Sequence, residues 1–191
     1  SNPLLAAAPG GRIIFSINDN WKFLPEGMAY ANAPNTDDSR WQTISLPHTW
    51  NASDPFDDDK TYKRGIAWYR KTLELNEQLK GKEVYLYFEG ANQVADVYVN
   101  GAFAGEHKGG YTAFAIDITP FLQWGNGSKN LIAVQVNNAH DPFIPPLDIG
   151  YALYGGIYRD AWIIATDKLH FKEINNNAAG VFISTPSVSK D

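Results

Sequence analysis

The chain contains no cysteine. A disulfide framework, a thiolate metal site and a cysteine nucleophile are therefore excluded. Positive charge is also scarce: 16 Lys and Arg stand against 21 Asp and Glu, the net charge is -5, and no run of Lys or Arg occurs. Nucleic acid demands a basic footprint for its phosphates and an anionic membrane surface asks for the same, so neither is an expected partner. No stretch approaches the roughly 20 consecutive apolar residues of a membrane-spanning helix. Helical periodicity of apolar residues is nearly absent too, which argues against an all-α or α/β chain.

What the sequence does have is aromatics (Trp 6, Tyr 10, Phe 10) set in short alternating runs. Val84, Leu86 and Phe88 alternate with Tyr85, Tyr87 and Glu89 before Gly90 stops the run. Val97 and Val99 alternate with Asp96 and Tyr98, and Asn100-Gly101 then supplies the two positive-φ residues of a tight type I′ hairpin returning through Ala102 to Glu106. Phe114, Ile116 and Ile118 share one face, Thr119-Pro120 ends that strand and opens a short helical turn, and Ile132, Val134 and Val136 make a further apolar face. With runs at Ile13–Ile17, Gln42–Leu46, Trp68–Leu75 and Ile157–Ala165, about eight to ten strands are expected. The fold class is all-β: an antiparallel β-sandwich of the jelly-roll, galactose-binding-domain-like kind.

Three regions are expected along the chain. Residues 1–12 read as a leader remnant or artificial extension, with Leu4–Ala8 suggesting a removed export signal and hence a periplasmic or extracellular location. Residues 13–166 form the sandwich. Residues 167–191 read as a linker and the first strand of a further domain, because the last run, Val181–Ser184, has no partner strand after it.

Six segments, in order, resemble the N-terminal sugar-binding domain of glycoside hydrolase family 2, the family of β-galactosidases, β-glucuronidases and β-mannosidases. They are Leu46-Pro47-His48-Thr49-Trp50-Asn51, Arg64-Gly65-Ile66-Ala67-Trp68-Tyr69-Arg70-Lys71, Phe88-Glu89-Gly90-Ala91, Val97-Tyr98-Val99-Asn100-Gly101, Gly109-Gly110-Tyr111 and Tyr154-Gly155-Gly156-Ile157-Tyr158-Arg159-Asp160. Gly180–Pro186 is similar to the opening strand of the immunoglobulin-like domain that follows in the family. The resemblance implies a non-catalytic domain that braces a (β/α)₈ barrel and lends a loop to its substrate subsite for hydrolysis of β-linked hexosides. The barrel, which needs about 250 residues, carries the acid and nucleophile glutamates. A rival expectation is an autonomous carbohydrate-binding module, assisted by calcium.

Retaining hydrolysis needs two carboxyl groups about 5 Å apart. Glu89 and Asp96 are the pair that consecutive strands could bring together, but carboxylates beside Gly or Asn turns usually serve backbone donors, and no catalytic residue is assigned. His48, Arg70 and Arg159 are read as interdomain or structural groups, since imidazole both donates and accepts and the guanidinium fork suits a buried carboxylate or a seam. In the resemblance the Asn51–Arg64 loop lies near the catalytic cleft, which makes Asn51 and Asp54 candidates for substrate contact. Asp54, Asp57, Asp58 and Asp59 also offer hard oxygen donors to calcium or a monovalent cation, although a solvated acidic loop is the ordinary outcome. Family members often carry an aspartate six residues before the second glycine of the YGGIYRD segment; here that position is Gly150, followed by Tyr151, with Asp148 two residues earlier as a substitute. Asp148 and Tyr151 complete the expected substrate-side set. Trp41, Trp50, Trp68, Trp124, Tyr151 and Tyr154 are the candidate stacking aromatics, with Trp68 expected in the core and Trp124 over a sandwich edge.

Overall fold

The computed structural model describes residues 6–7, 11–52, 62–145 and 154–168. Asp54, Asp57, Asp58, Asp59, Asp148 and Tyr151 lie outside the described residues, as does the chain from 169 onward.

Among the described residues the strands are β1 (Ala6–Ala7), β2 (Ile13–Ser16), β3 (Trp21–Leu24), β4 (Gln42–Ile44), β5 (Ile66–Glu74), β6 (Glu83–Phe88), β7 (Val94–Val99), β8 (Ala102–Lys108), β9 (Phe114–Asp117), β10 (Lys129–Asn137) and β11 (Ala161–Thr166). They form two antiparallel sheets, ordered β1-β2-β11-β6-β9 and β4-β3-β5-β10-β7-β8. The chain passes from one sheet to the other several times, giving the expected sandwich. Among the described residues, 3-10 turns at Glu77–Leu79 and Thr119–Phe121 interrupt the β structure.

The pleat's period of two decides what each strand buries. Val84, Leu86 and Phe88 of β6 are fully buried while Glu83, Tyr85 and Tyr87 are turned outward. Ala95, Val97 and Val99 of β7 face the same core, joined by Ile132, Val134 and Val136 of β10 and Ile163 of β11. Each fully buried large apolar side chain stabilises the fold by roughly 1.5–3 kcal/mol, so this shared layer holds the two sheets face to face. The turn between β7 and β8 has Asn100 at φ 51° and Gly101 at φ 87°, both positive as a type I′ hairpin requires.

A second apolar cluster lies on the outer face of the six-stranded sheet, where Trp68 and Ala133 pack against Ala31 and Trp41. Arg70 pins the covering segment from beneath. Its guanidinium, almost fully buried, donates to Asp38 Oδ2 (2.8 Å) and to the carbonyls of Ala31 (2.5 Å), Ala33 (2.9 Å) and Thr36 (3.3 Å).

Two expectations about the elements need correction. Trp21–Leu24 is a strand the alternation did not reveal; it forms because β5 offers Arg70, Tyr69 and Trp68 as ladder partners. The run expected as a strand from Ile157 starts only at Ala161, where pairing with Phe88 begins. Ile157 instead gives its carbonyl to the His48 N–H (2.8 Å). At the edge of the five-stranded sheet, Ala6 and Ala7 pair with Ile14 and Ile13.

Candidate functional site

The nine-residue ladder between β5 and β10 runs from Glu74 opposite Lys129 to Ile66 opposite Asn137. At the Ile66 end the segments 46–52, 62–65, 138–145 and 154–157 meet, and three of the six sequence segments converge there. Asn51 is the joint. It is fully buried; its Nδ2 donates to Lys63 O (2.9 Å) and its Oδ1 accepts from Gly155 N (2.6 Å) and from Asn138 Nδ2 (3.4 Å). Asn138, equally buried, accepts from Gly65 N (2.8 Å). Thr49 Oγ1 donates to Gly155 O (2.8 Å) and Trp50 Nε1 to Lys63 O (3.3 Å). Buried amides with both ends bonded cost little and fix the backbones they join.

The paired glycines are a packing requirement. A Cβ on Gly155 would sit 2.0 Å from Trp50 Cζ2, and one on Gly156, at φ 130°, would sit 2.5 Å from His48 O and 2.8 Å from the Tyr69 hydroxyl. Trp50 in turn stacks on Phe23, with centroids 6.2 Å apart and planes at 18°.

His48 Nδ1 lies 2.8 Å from the Tyr69 hydroxyl. Burial holds the imidazole below its ordinary value, so it is neutral at pH 7. Burial also pushes the Tyr69 phenol far upward, and a backbone hydrogen bond from Ile157 opposes that only weakly. The pair is a hydrogen bond between two neutral groups, its direction set by the imidazole tautomer. No carboxylate takes part in this pair.

Of the other singled-out residues, Arg70 is engaged within the fold as described, and Arg159 is exposed beside Tyr158, whose hydroxyl donates to Gly110 O. Glu89 and Asp96 belong to different sheets: Glu89 Oε1 accepts from Trp162 Nε1 (3.1 Å), while Asp96 stands on the outer face of β7. Trp41 and Trp68, considered as stacking platforms, are buried at 8% and 4% exposure, whereas Tyr154 is 42% exposed beside Tyr62. Trp124 is half-buried against the edge of the core. The sequence reading missed Asn138, Tyr69 and Asn92; Asn92 Nδ2 donates to Tyr154 O (2.8 Å) and its backbone pairs with Gly156. The available signal was polar residues placed where an apolar alternation breaks. Among the described residues no group of three or more His, Asp or Glu could hold a metal ion, and no helix there is long and apolar enough to cross a membrane.

Residues 14–167 match the family described as Glycosyl hydrolases family 2, sugar binding domain. A beta-galactosidase of Thermoanaerobacter pseudethanolicus is 40% identical over 192 residues, covering 95% of this chain and 25% of that protein. A beta-glucuronidase of Bacteroides fragilis is 38% identical over 173 residues, covering 91% of this chain and 24% of that protein. Among solved structures, Bacteroides uniformis beta-glucuronidase is similar with a TM-score of 0.83 at 44% identity, covering 93% of this chain and 21% of that one. A calcium binding mutant of Bacteroides uniformis beta-glucuronidase 2 is similar with a TM-score of 0.82. The chain thus spans about a fifth to a quarter of the length of these relatives.

Proposed function

We propose, from the premise that this chain belongs to the family 2 glycosyl hydrolase sugar-binding domains, that it is the non-catalytic N-terminal domain of a larger β-glycoside hydrolase. Its loop end helps shape the substrate subsite of a catalytic barrel elsewhere in that protein, and the reaction is hydrolysis of terminal β-linked hexosides of the galactoside or glucuronide class. The observation that carries this reading is the joint at Asn51: a buried amide that ties Lys63, Gly155 and Asn138 together holds the roots of the 53–61 and 146–153 segments in fixed positions. In this reading Asp54, Asp148 and Tyr151, on those segments, meet the sugar. Asn51, being buried, acts by positioning them, and exposed Arg159 belongs to the interdomain seam.

The isolated chain is expected to show no turnover of nitrophenyl β-galactoside or β-glucuronide; hydrolysis by the pure chain overturns the assignment. In the full-length enzyme, Asp148→Ala raises KM, and unchanged kinetics reduces the domain to a spacer. Calcium or a monovalent cation belongs in this reading with the carboxylates of Asp54, Asp57, Asp58 and Asp59, a donor set of the right hardness; it is supported by a calcium-dependent rise in melting temperature that Asp57→Asn removes, and refuted by identical melts in calcium and chelator. Export to the periplasm or exterior completes the reading, tested by locating the native protein in cell fractions.

A further inference from the structure

The dipeptide Asn-Gly occurs twice in the chain, at Asn100-Gly101 and at Asn126-Gly127. It has a chemistry of its own: the backbone nitrogen after an asparagine attacks the side-chain amide carbon, and glycine, with no side chain, leaves that approach open. The attack needs two freedoms, that of the asparagine amide and that of the glycine beside it. The two turns differ in both.

Asn100 is tied by its whole amide. It stands half-buried in the β7–β8 hairpin, where its Oδ1 accepts from Leu131 N (2.8 Å) and its Nδ2 donates to Phe121 O and to Asn130 Oδ1 (both 2.9 Å). Asn130 is itself fully buried and fixed by two bonds to the Gln123 backbone. Gly101 is covered as well: its carbonyl accepts from Asn32 Nδ2 (3.0 Å), and an added Cβ would lie 3.0 Å from Pro34 Cδ. To meet the Gly101 nitrogen, the Asn100 amide must give up three hydrogen bonds worth about 1 kcal/mol each.

Asn126 is the reverse case. The turn of residues 125–128 is closed by Ser128 N–H donating to Gly125 O (3.0 Å), with Gly127 at φ 75° in its third position, as in a type II turn. Asn126 and Gly127 are both exposed. Among the described residues neither the Asn126 amide nor the Gly127 N–H has a hydrogen-bond partner, and an added Gly127 Cβ would meet nothing within 4 Å. The turn is anchored only at its start, where Gly125 N–H donates to Glu77 Oε1 (2.7 Å), and it runs into β10 at Lys129.

We propose that Asn126 is a site of spontaneous deamidation in this protein and that Asn100, in the same dipeptide, is protected by the fold. The Gly127 nitrogen, giving its proton to solvent base, forms a bond to Asn126 Cγ. The bond from Cγ to Nδ2 breaks, and the departing nitrogen takes up a proton and leaves as ammonia, which closes a five-membered succinimide. Water then adds to one of the two ring carbonyls; opening at one yields aspartate, and opening at the other yields isoaspartate, whose main chain runs through the side-chain carbon. The product carries one more negative charge and, as isoaspartate, one more backbone methylene. The change is felt at the Gly125–Glu77 bond and at the Lys129–Glu74 end of the β5–β10 ladder. Water is the only co-reactant, so the reaction does not depend on the domain's role in hydrolysis.

The test is incubation of the 191-residue chain at mildly alkaline pH, native and in urea above its unfolding midpoint, followed by peptide mapping with mass spectrometry and labelling by isoaspartate methyltransferase. In the native chain Asn126 is expected to convert at least tenfold faster than Asn100, with a rate that rises with pH, and the labelled peptide is the one that contains residue 126. In urea the Asn100 rate rises until the two are comparable. Asn126→Gln removes the native product and leaves the melting temperature unchanged. Equal native rates at the two sites would overturn the proposal, as would no conversion at Asn126 while a free peptide of the same sequence converts. A preference for Asn126 that persists undiminished in urea would overturn it too, because neighbouring sequence and not the fold would then be its cause.

Discussion

Adding one methyl group at Gly155 is the sharpest perturbation the loop end allows. Its Cβ would lie 2.0 and 2.4 Å from Trp50 Cζ2 and Cε2 and 2.7 Å from Asn138 Nδ2, where ordinary contact begins at 3.4 Å. The indole must therefore move by more than about 1 Å, a shift on the scale of overpacked cores, which cost typically 1–3 kcal/mol. Its retreat is limited by Phe23 and by the bond from Nε1 to Lys63 O. Moving the backbone instead loosens the bonds from Gly155 N to Asn51 and from Thr49 to Gly155 O, each worth about 1 kcal/mol. Alanine recovers about 0.4–1 kcal/mol through the unfolded chain, since φ at this glycine is not left-handed. Gly155→Ala is thus expected to cost about 2–4 kcal/mol, a large share of the roughly 5–15 kcal/mol that holds a domain together. Urea unfolding at pH 7, followed by tryptophan fluorescence and far-UV circular dichroism, measures it as a lowered midpoint at constant slope. In a Trp50→Ala background the cost should fall by at least about 1 kcal/mol, because contacting residues couple. A Gly155→Ala chain within about 0.5 kcal/mol of the parent, a range typical of substitutions that meet nothing, or an equal cost in both backgrounds, refutes the steric reasoning.

Three further outcomes follow from other sites. Arg70→Lys keeps the charge but cannot reach Asp38 and three carbonyls at once, so it should lower stability by about 2–4 kcal/mol in the same urea assay; a loss under about 1 kcal/mol contradicts the pinning role. The folded chain holds His48 below its unfolded value of 6.5, so the associated stability is present above about pH 6.5 and is lost as pH falls toward the folded value; His48→Gln should flatten the melting-temperature profile between about pH 7 and 5, and an unaltered slope rules this out. Asp96 has the opposite sign: its raised folded value favours the protonated form, so stability is fullest below the unfolded value and declines as pH rises through the folded one. Asp96→Asn should therefore stabilise at pH 7 by up to about 1 kcal/mol, with the gain vanishing below about pH 3; a loss at pH 7 would mean that the carboxylate has a partner it needs.

Local patterns carried most of the sandwich. The alternation of Val84–Phe88 and the Asn100-Gly101 turn each state their geometry within a few residues, because the pleat and the type I′ turn are local constraints. Trp21–Leu24 escaped because four residues after a polar turn hold too little pattern, and the reason they are a strand is β5, more than forty positions away. The same distance hid the roles of the polar residues. Asn51 was legible as part of a motif, yet its buried place depends on Gly155, 104 residues further on, and on a carbonyl at Lys63. Asn92 and Asn138 sit in no pattern that separates an engaged amide from a solvated one. The pairing of Asp96 with Glu106 appears only when registers are known, since each residue alone looks like an ordinary outward position.

The amide of Asn51 grips the Lys63 carbonyl at 2.9 Å, so two positions twelve residues apart in the chain are held at one clasp. Lengthening a loop whose ends are already closed adds only about 0.6 kcal/mol per doubling. The clasp uncouples this stretch from the sandwich: its length and composition can change while the sheets beneath keep their registers.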